Sequence, residues 1–298
     1  MNLNQLWVFY NVANHRSFSL AAKHLFLTQP SISTQVKLLE NSYKIRLFER
    51  FGKKIELTDA GKILFSYAEK IFNLANEADT VIEDMKGMKS GNLRIDTSLT
   101  LGAYYLPDIL SAFSSKFPNI EIEMRVGNTY EVVENVLTFR ADLGFIGHME
   151  LNPKLVVAPF IEEELVIIAS PSHEFGKEKT FRVSRLNGQP FILREKGSGT
   201  RKEVEEKFKK AHVSVKVVME LGSNEAIKRA VEEGFGISII SANVVKREVD
   251  AGLLKVIRLP REKITRIFYI IYHKDKYLSN IIKSFLKITS EYSQNYRR

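Results

Sequence analysis

The stretch LTQPSISTQVKLLE, residues 27–40, carries a helix start followed by small polar residues at the early helical positions. Thr28 suits the N-cap, and Pro30 falls in the first turn, where a missing N–H costs nothing. Ile32, Val36 and Leu39 recur at i, i+4 and i+7, which makes one apolar stripe for a core. The opposite face bears Ser31, Ser33 and Thr34. Such short hydrogen-bonding side chains suit a helix against which something must lie closely.

The flanking residues give that helix a setting. Leu3, Leu6, Phe9, Tyr10 and Ala13 trace a first amphipathic helix, and SFSLAAKHLF, residues 17–26, a second with Leu20, Ala21 and Leu25 inward. Two short helices joined by a tight turn, the second with a polar outer face, form a helix-turn-helix. IRLFERFGKKIELTDAG then supplies extended runs at residues 45–49 and 55–58 around Gly52, Lys53 and Lys54, a basic hairpin that serves as a wing. From Thr58 a long helix runs to about Gly87 with Leu64, Tyr67, Ile71, Leu74, Ala78, Val81 and Met85 at alternating spacings of three and four. This narrow seam fits pairing with a second copy, and it also fits packing on the chain's own C-terminal half. MKSGN, residues 88–92, is the expected hinge.

Beyond Asn92 strands and helices alternate. LRIDTS, a helix over residues 102–117, IEIEMRVG, a helix over 130–140 and DLGFIG make a βαβαβ run and hence a parallel sheet. A second set starts at Leu165 with LVIIAS and PFILRE and ends at LLKVIRL, after which RIFYIIYHK and a helix from Leu278 return to complete the first lobe. The expected division is 1–58 for DNA binding, 59–90 for the linker helix and 91–298 for the effector domain, with lobe I at about 91–162 and 268–298 and lobe II at about 163–267. Ligands of such sheets sit beyond the carboxyl ends of the strands, here between the lobes.

Charge is unevenly distributed. Residues 1–57 carry eight Lys/Arg against three Asp/Glu, residues 91–257 carry 22 against 23, and residues 258–298 carry ten against three. A basic N-terminal piece ahead of a near-neutral body is the footprint of nucleic-acid binding, although a solvated basic face has the same composition. With no cysteine, disulfides, thiolate metal sites and cysteine nucleophiles are excluded. No span of apolar residues is long enough to cross a membrane, and the N-terminus lacks the marks of a secretory signal, so a cytoplasmic location is expected, with no membrane partner.

Catalysis finds no support in the motifs. His15, His24, His148, His173, His212 and His273 form no close metal-ligand pair, and GSGTRK, residues 197–202, fits neither a dinucleotide fingerprint, a P-loop nor a nucleophile elbow. The expectation is a protein that is not an enzyme and needs no cofactor or metal. The competing class is a solute-binding protein without DNA function, which residues 92–298 alone would fit.

In order and spacing, SFSLAAKHL, LTQPSISTQVKLLE, LFER and LTDAG resemble the N-terminal signature of LysR-type transcriptional regulators. The resemblance extends over the whole chain. It implies an α/β protein with an all-α winged helix-turn-helix N-terminal domain, a long linker helix, and a C-terminal two-lobed effector domain like a periplasmic binding protein. It implies a homodimer or homotetramer on double-stranded promoter DNA, at an interrupted inverted repeat, with RNA polymerase as a further partner. PFILREKGSGTRKEVEE looks most like the branch containing regulators of cysteine biosynthesis and of carbon fixation.

Small hydroxyl and amide side chains let a helix backbone approach base edges in the major groove. Gln29, Ser33 and Thr34 are therefore the candidates for base readout, with Pro30 and Ser31 beside them. Lys37, Arg50, Lys53 and Lys54 are candidates for phosphate contacts, which supply affinity and salt dependence. In the effector domain Ser98 and Thr100 precede one helix, and Ser198, Gly199 and Thr200 precede another; the resemblance places Thr100 at a position the family uses for effectors. Helix N-termini and hydroxyls together suit a small anion, while capping alone would account for the same residues without a ligand. Gly127, Asn128, Thr129, Gly147, His148, Ser223 and Asn224 lie at other strand ends that line the same cleft.

Overall fold

Asn2, Ser17 and Thr28 start the first three helices, each side-chain oxygen accepting from backbone N–H groups two or three residues on. The computed structural model describes residues 2–51, 54–85, 91–148, 151–177, 182–259 and 263–296, which fall into two units, Met1–Glu83 and Asp84–Arg298.

In the first unit α1 (Leu3–His15), α2 (Phe18–His24) and α3 (Gln29–Tyr43) pack around Leu6, Phe9, Val12, Ala21, Ala22, Ile32, Val36 and Leu39. The expected inward residues Leu3 and Leu20 are instead 57% and 56% exposed. The hairpin is β1 (Phe48–Phe51) and β2 (Lys54–Leu57), paired antiparallel. It begins later than residue 45 because the Glu40 carboxylate accepts from the Leu47 N–H at 2.7 Å, binding this part of the chain to α3 rather than to a strand.

Helix α4 (Asp59–Met85) follows at once. The Thr58 hydroxyl donates to the Arg46 carbonyl and accepts from the Gly61 N–H. A Cβ at Gly61 would lie 2.1 Å from the Leu47 carbonyl oxygen, so glycine alone permits this approach. Tyr10 stacks on Phe65 at 5.3 Å and Trp7 meets Phe72 edge-on at 4.7 Å, which fixes one face of α4. Leu64 and Ile71 from the expected seam join that covered face. Tyr67 and Leu74 stay exposed, in line with Ile63 and Ile82. Lys53, Gly52 and positions 88–90 of the expected hinge lie outside the described residues, as do the side chains of Arg50 and Met85.

The second unit opens with β3 (Gly91–Ser98), α5 (Leu99–Tyr104), α6 (Leu106–Lys116), β4 (Ile120–Gly127), α7 (Thr129–Leu137) and β5 (Leu143–Ile146). β4, β3 and β5 are parallel neighbours. The single helix expected over 102–117 is broken at Tyr105, because Pro107 in the next turn lacks an N–H to continue it. There follow β6 (Leu155–Ala169), β7 (Pro190–Arg194), α8 (Gly199–Lys210), β8 (Lys216–Leu221), α9 (Asn224–Glu232), β9 (Ser238–Ser241), α10 (Lys246–Asp250), β10 (Lys255–Ile257), β11 (Ile264–His273) and α11 (Asn280–Tyr296).

The two lobes share their longest strands. β6 starts at Leu155 rather than Leu165 and runs antiparallel to β11 from Leu155↔His273 to Leu165↔Ile264. Its first half joins β5 and β3 through β11, and its second half pairs with β9 and β10. One core gathers Leu93, Ile95, Phe113, Phe145, Phe268 and Phe285; others gather Ile167, Phe191, Val204 and Ile239, and Ile168, Ile192, Ile227 and Ile240. The protein thus has a winged helix-turn-helix, a long helix and a two-lobed α/β domain.

Candidate effector cleft and DNA-reading surface

Ser98, Thr100, Gly127, Asn128, Thr129 and Gly147 end first-lobe strands or begin the helices after them, and Ser198, Gly199 and Thr200 do so in the second lobe. All nine line one narrow seam, together with Arg194, Glu195 and Arg266. The seam encloses about 20 Å³, about enough for a single water. The lobes are closed on each other. The Asn224 amide donates to Thr100 Oγ1 at 3.3 Å, Tyr104 donates to Glu225 at 2.7 Å, and His148 Nδ1 lies 2.9 Å from Glu203. A Cβ on Gly199 would stand 2.9 Å from the Gly147 carbonyl carbon, so the absence of a side chain lets the backbones meet.

The helix-start hydroxyls divide into two groups. Ser223 caps α9 by accepting from the Ala226 N–H at 3.1 Å, and Asn128 forms a reciprocal capping box with Glu131. Ser223 therefore has a local role and does not line the seam. Ser98 and Ser198 occupy N-cap positions without making a side-chain capping bond. Thr129 Oγ1 is buried with no hydrogen-bond partner among the described residues.

Two arginines border the seam, and both are balanced. Arg194 takes both oxygens of Glu195 and donates to Asn224 at 3.0 Å. Arg266 pairs with the wholly buried Glu163 and donates to Thr200 Oγ1 at 2.5 Å. Tyr105 and Ser241 donate to the other Glu163 oxygen; burial, then that carboxylate, pushes the Tyr105 phenol up from its ordinary pKa. Burial also pushes the Tyr104 phenol up, aided by Glu225. Burial alone would raise Glu225, but bonds from Lys228 and Tyr104 hold it below the usual carboxylate value.

In the first unit the helix-turn-helix presents α3. Gln29, Pro30, Thr34 and Lys37 are exposed on it, and Ser31 and Ser33 are half-buried. Thr28 Oγ1 accepts from the Ser31 N–H at 3.4 Å, and Thr34 donates to the Pro30 carbonyl at 2.9 Å. Gln29 accepts from Ser19 at 3.3 Å through its oxygen, which leaves its NH2 outward. Lys54 is exposed at the start of β2.

This arrangement matches known proteins over nearly the full chain. Residues 3–62 match the bacterial regulatory helix-turn-helix protein of the lysR family, and residues 86–294 match the LysR substrate binding domain. The chain belongs to the LysR family of transcriptional regulators. The HTH-type transcriptional activator CmpR of Synechocystis is 40% identical over 95% of this chain and 93% of its own length. A RuBisCO operon transcriptional regulator of Allochromatium vinosum is 33% identical over 94% of this chain and 92% of its own, which agrees with the carbon-fixation side of the expected branch. The regulatory domain of CcmR from Synechocystis PCC6803, solved in complex with 2-PG, is 32% identical, covers 69% of this chain and 99% of its own, and superposes with a TM-score of 0.65.

As a LysR regulator the protein pairs a DNA-reading unit with an effector-binding unit. Among the described residues no helix is long and apolar enough to cross a membrane. Sequence reasoning missed Arg194, Glu195 and Arg266. Arg194 ends the strand PFILR immediately before the noted GSGT loop and could have been found from that position. Arg266 could not, because it reaches the seam only through the β6–β11 register, where it sits opposite Glu163.

Proposed function

We propose that the effector of this LysR regulator is a small anion held in the interlobe seam by Thr100, Thr129, Ser198 and Thr200. The observation that carries this is the buried Ser198. It stands at the N-cap of α8 without capping it, so its hydroxyl and the first N–H groups of that helix remain available to an anion. The 2-PG complex of the CcmR regulatory domain supports the same ligand class. The closed seam has room for about one water, so the anion enters with the lobes parted and is gripped as they come together around it, shifting the balance between lobe arrangements by no more than its differential affinity for them. The exposed stripe on α4 pairs two chains, two copies of α3 then enter adjacent major grooves, and the effector alters how the paired chains bend promoter DNA.

Titration calorimetry of the full-length protein with inorganic phosphate, sulfate and 2-PG tests the seam. Saturable binding that weakens by about tenfold in Thr200→Val, the loss of roughly one hydrogen bond to a charged group, is expected. Absence of binding, or affinity unchanged in that variant, refutes it. Footprints on promoter DNA whose length and hypersensitivity did not change with the bound anion would refute the bending step.

A further inference from the structure

His148 stands two residues past the end of β5 on the first lobe, and Glu203 one turn into α8 on the second, with His148 Nδ1 2.9 Å from the carboxylate. Neither side chain has another hydrogen-bond or ion-pair partner among the described residues. The ring keeps 17% of its surface exposed and lines a pocket of about 420 Å³ beside the seam, so the pair is partly buried yet within reach of protons.

Other side-chain bonds also join the lobes. The bond from Asn224 to Thr100 carries no charge. In the bond from Tyr104 to Glu225, burial pushes the phenol up; burial would also favour a neutral Glu225, but bonds from Lys228 and Tyr104 hold its carboxyl below the usual value. Tyr105, which donates to Glu163, is likewise kept protonated by burial. Of these contacts, the pair of His148 and Glu203 alone contains a side chain of the kind that changes charge between about pH 5 and 8.

The charges that face the ring leave Glu203 in command. From the second lobe come Arg201, Lys202, Glu205 and Lys196. Arg201 is held by Glu205 at 2.7 Å and by Glu220 at 2.6 Å. Lys196 and Lys202 are exposed, so water and salt screen them. From the first lobe α7 brings Tyr130, and from β11 Arg266, beside Gly147, is already paired with Glu163. Glu150, the next charged residue on the segment that carries His148, lies outside the described residues.

We propose that His148 and Glu203 form a pH-sensitive latch across the cleft, which draws the lobes together in mild acid and lets them part as the ring loses its proton. A neutral ring bonds the carboxylate only in the tautomer with its proton on Nδ1, whereas a protonated ring makes an ion pair, the stronger contact. Parting the lobes removes the contact in either state. The closed form therefore binds the proton more tightly than the open one, and by linkage the proton favours closure. That contribution is fully present below the titration of the ring in the open form and is lost as pH rises through its titration in the closed form. The latch acts without a ligand, so it stands or falls separately from the anion reading above.

The test is amide hydrogen exchange of the ligand-free full-length protein from pH 6 to pH 8, each rate divided by that of an unstructured chain at the same pH. The peptides to follow cover residues 98–100 and 198–200, which line the seam at the starts of α5 and α8. First-turn N–H groups have no acceptor within their own helix, so closure of the lobes is what protects them. Their protection is expected to fall by up to about tenfold over this range, the change in an equilibrium constant that one pKa unit between two states produces. His148→Gln and Glu203→Gln each keep a hydrogen-bonding side chain without the ion pair, and either should abolish the pH dependence. His24→Gln, on the exposed end of α2 in the first unit, should retain it. Protection that stays constant with pH in the wild type, that rises with pH, or that falls equally in the wild type and in either of the two latch variants overturns the proposal.

Discussion

Across the cleft, Asn224 of α9 donates its side-chain amide to the hydroxyl of Thr100 in α5, at 3.3 Å, with both residues buried. The bond exists only when the lobes are together. Thr100→Val keeps the shape but removes the acceptor and leaves a buried N–H unsatisfied, a cost of about 1–3 kcal/mol borne by the closed form. The hydrophobic cores of the two lobes are untouched. Small-angle scattering of the ligand-free variant is expected to show a larger radius of gyration than the wild type, with the melting profile of the lobes preserved; identical scattering curves would show that this bond does not hold the cleft shut.

Gly199 tests closure from the opposite wall. Because its Cβ position is 2.9 Å from the carbonyl carbon and 3.1 Å from the carbonyl oxygen of Gly147, Gly199→Ala forces backbone apart rather than a flexible side chain. The substitution leaves each lobe's core intact, and helical propensity favours Ala over Gly by up to about 1 kcal/mol. Effector affinity should fall by about tenfold or more while stability to urea is maintained. Calorimetry and denaturation on the same preparation decide it, and a fully active Gly199→Ala would mean the lobes do not need to meet here.

How far the sequence speaks depends on the range of the interaction. The helix-turn-helix was readable because Thr28, Pro30 and the Ile32, Val36, Leu39 stripe act within one or two turns, and all appear in α3 with the N-cap bond in place. The strand ends at Ser98, Gly127, Gly147 and Ser198 were readable for the same reason, since the βα alternation is local. The shared strand was not. Pro159 and the run Glu162, Glu163 and Glu164 look like a loop, yet β6 passes through them, with Pro159 opposite Tyr269 and Glu163 opposite Arg266. A carboxylate can be wholly buried there only because Arg266, Tyr105 and Ser241 converge on it from elements distant in the chain. Leu3 and Leu20 fail in the opposite sense, as apolar residues at helical spacing that stay exposed.

Asp142 gives the second unit an acid limit. Burial alone would raise its carboxyl, but the charge of Lys276 at 2.8 Å and the bonds from Arg94 outweigh burial and hold it below the ordinary value of 3.8. A carboxyl lowered in the folded state contributes stability above its unfolded pKa and loses it as pH falls through the folded value. The loss is therefore expected below pH 3.8. Asp142→Asn removes the carboxylate that Arg94 and Lys276 share, with an expected cost of about 3–5 kcal/mol at neutral pH. Urea denaturation across pH should show a flatter acid limb in the variant than in the wild type; parallel curves would assign the acid sensitivity to other groups.

The outward stripe of α4 predicts how chains pair. Tyr67 and Leu74 are 61% and 57% exposed in line with Ile63 and Ile82, while Phe65 and Phe72 on the other side are fixed by Tyr10 and Trp7. Leu74→Glu places a charge in the seam between two copies and disturbs nothing inside one. Sedimentation should show dissociation to smaller species at concentrations where the wild type is paired, with an unchanged circular dichroism spectrum. An unaltered sedimentation coefficient would move the pairing surface elsewhere.

On α3 the side chains separate affinity from specificity. Lys37 is exposed with no partner among the described residues, so its expected role is a phosphate contact. Lys37→Ala should weaken binding to all sequences alike and lower the slope of log K against log salt by about 0.9. Gln29 has its oxygen engaged by Ser19 and its NH2 outward, an arrangement suited to donating to a base acceptor in the major groove. Gln29→Ala should leave the salt slope unchanged and cost about 1–3 kcal/mol on the preferred duplex, with little loss on unrelated DNA. Gel shifts over a salt series, on a duplex selected from a randomised library and on its scrambled counterpart, separate the two effects. A uniform loss for Gln29→Ala, or a loss confined to the selected duplex for Lys37→Ala, would reverse the roles assigned to them.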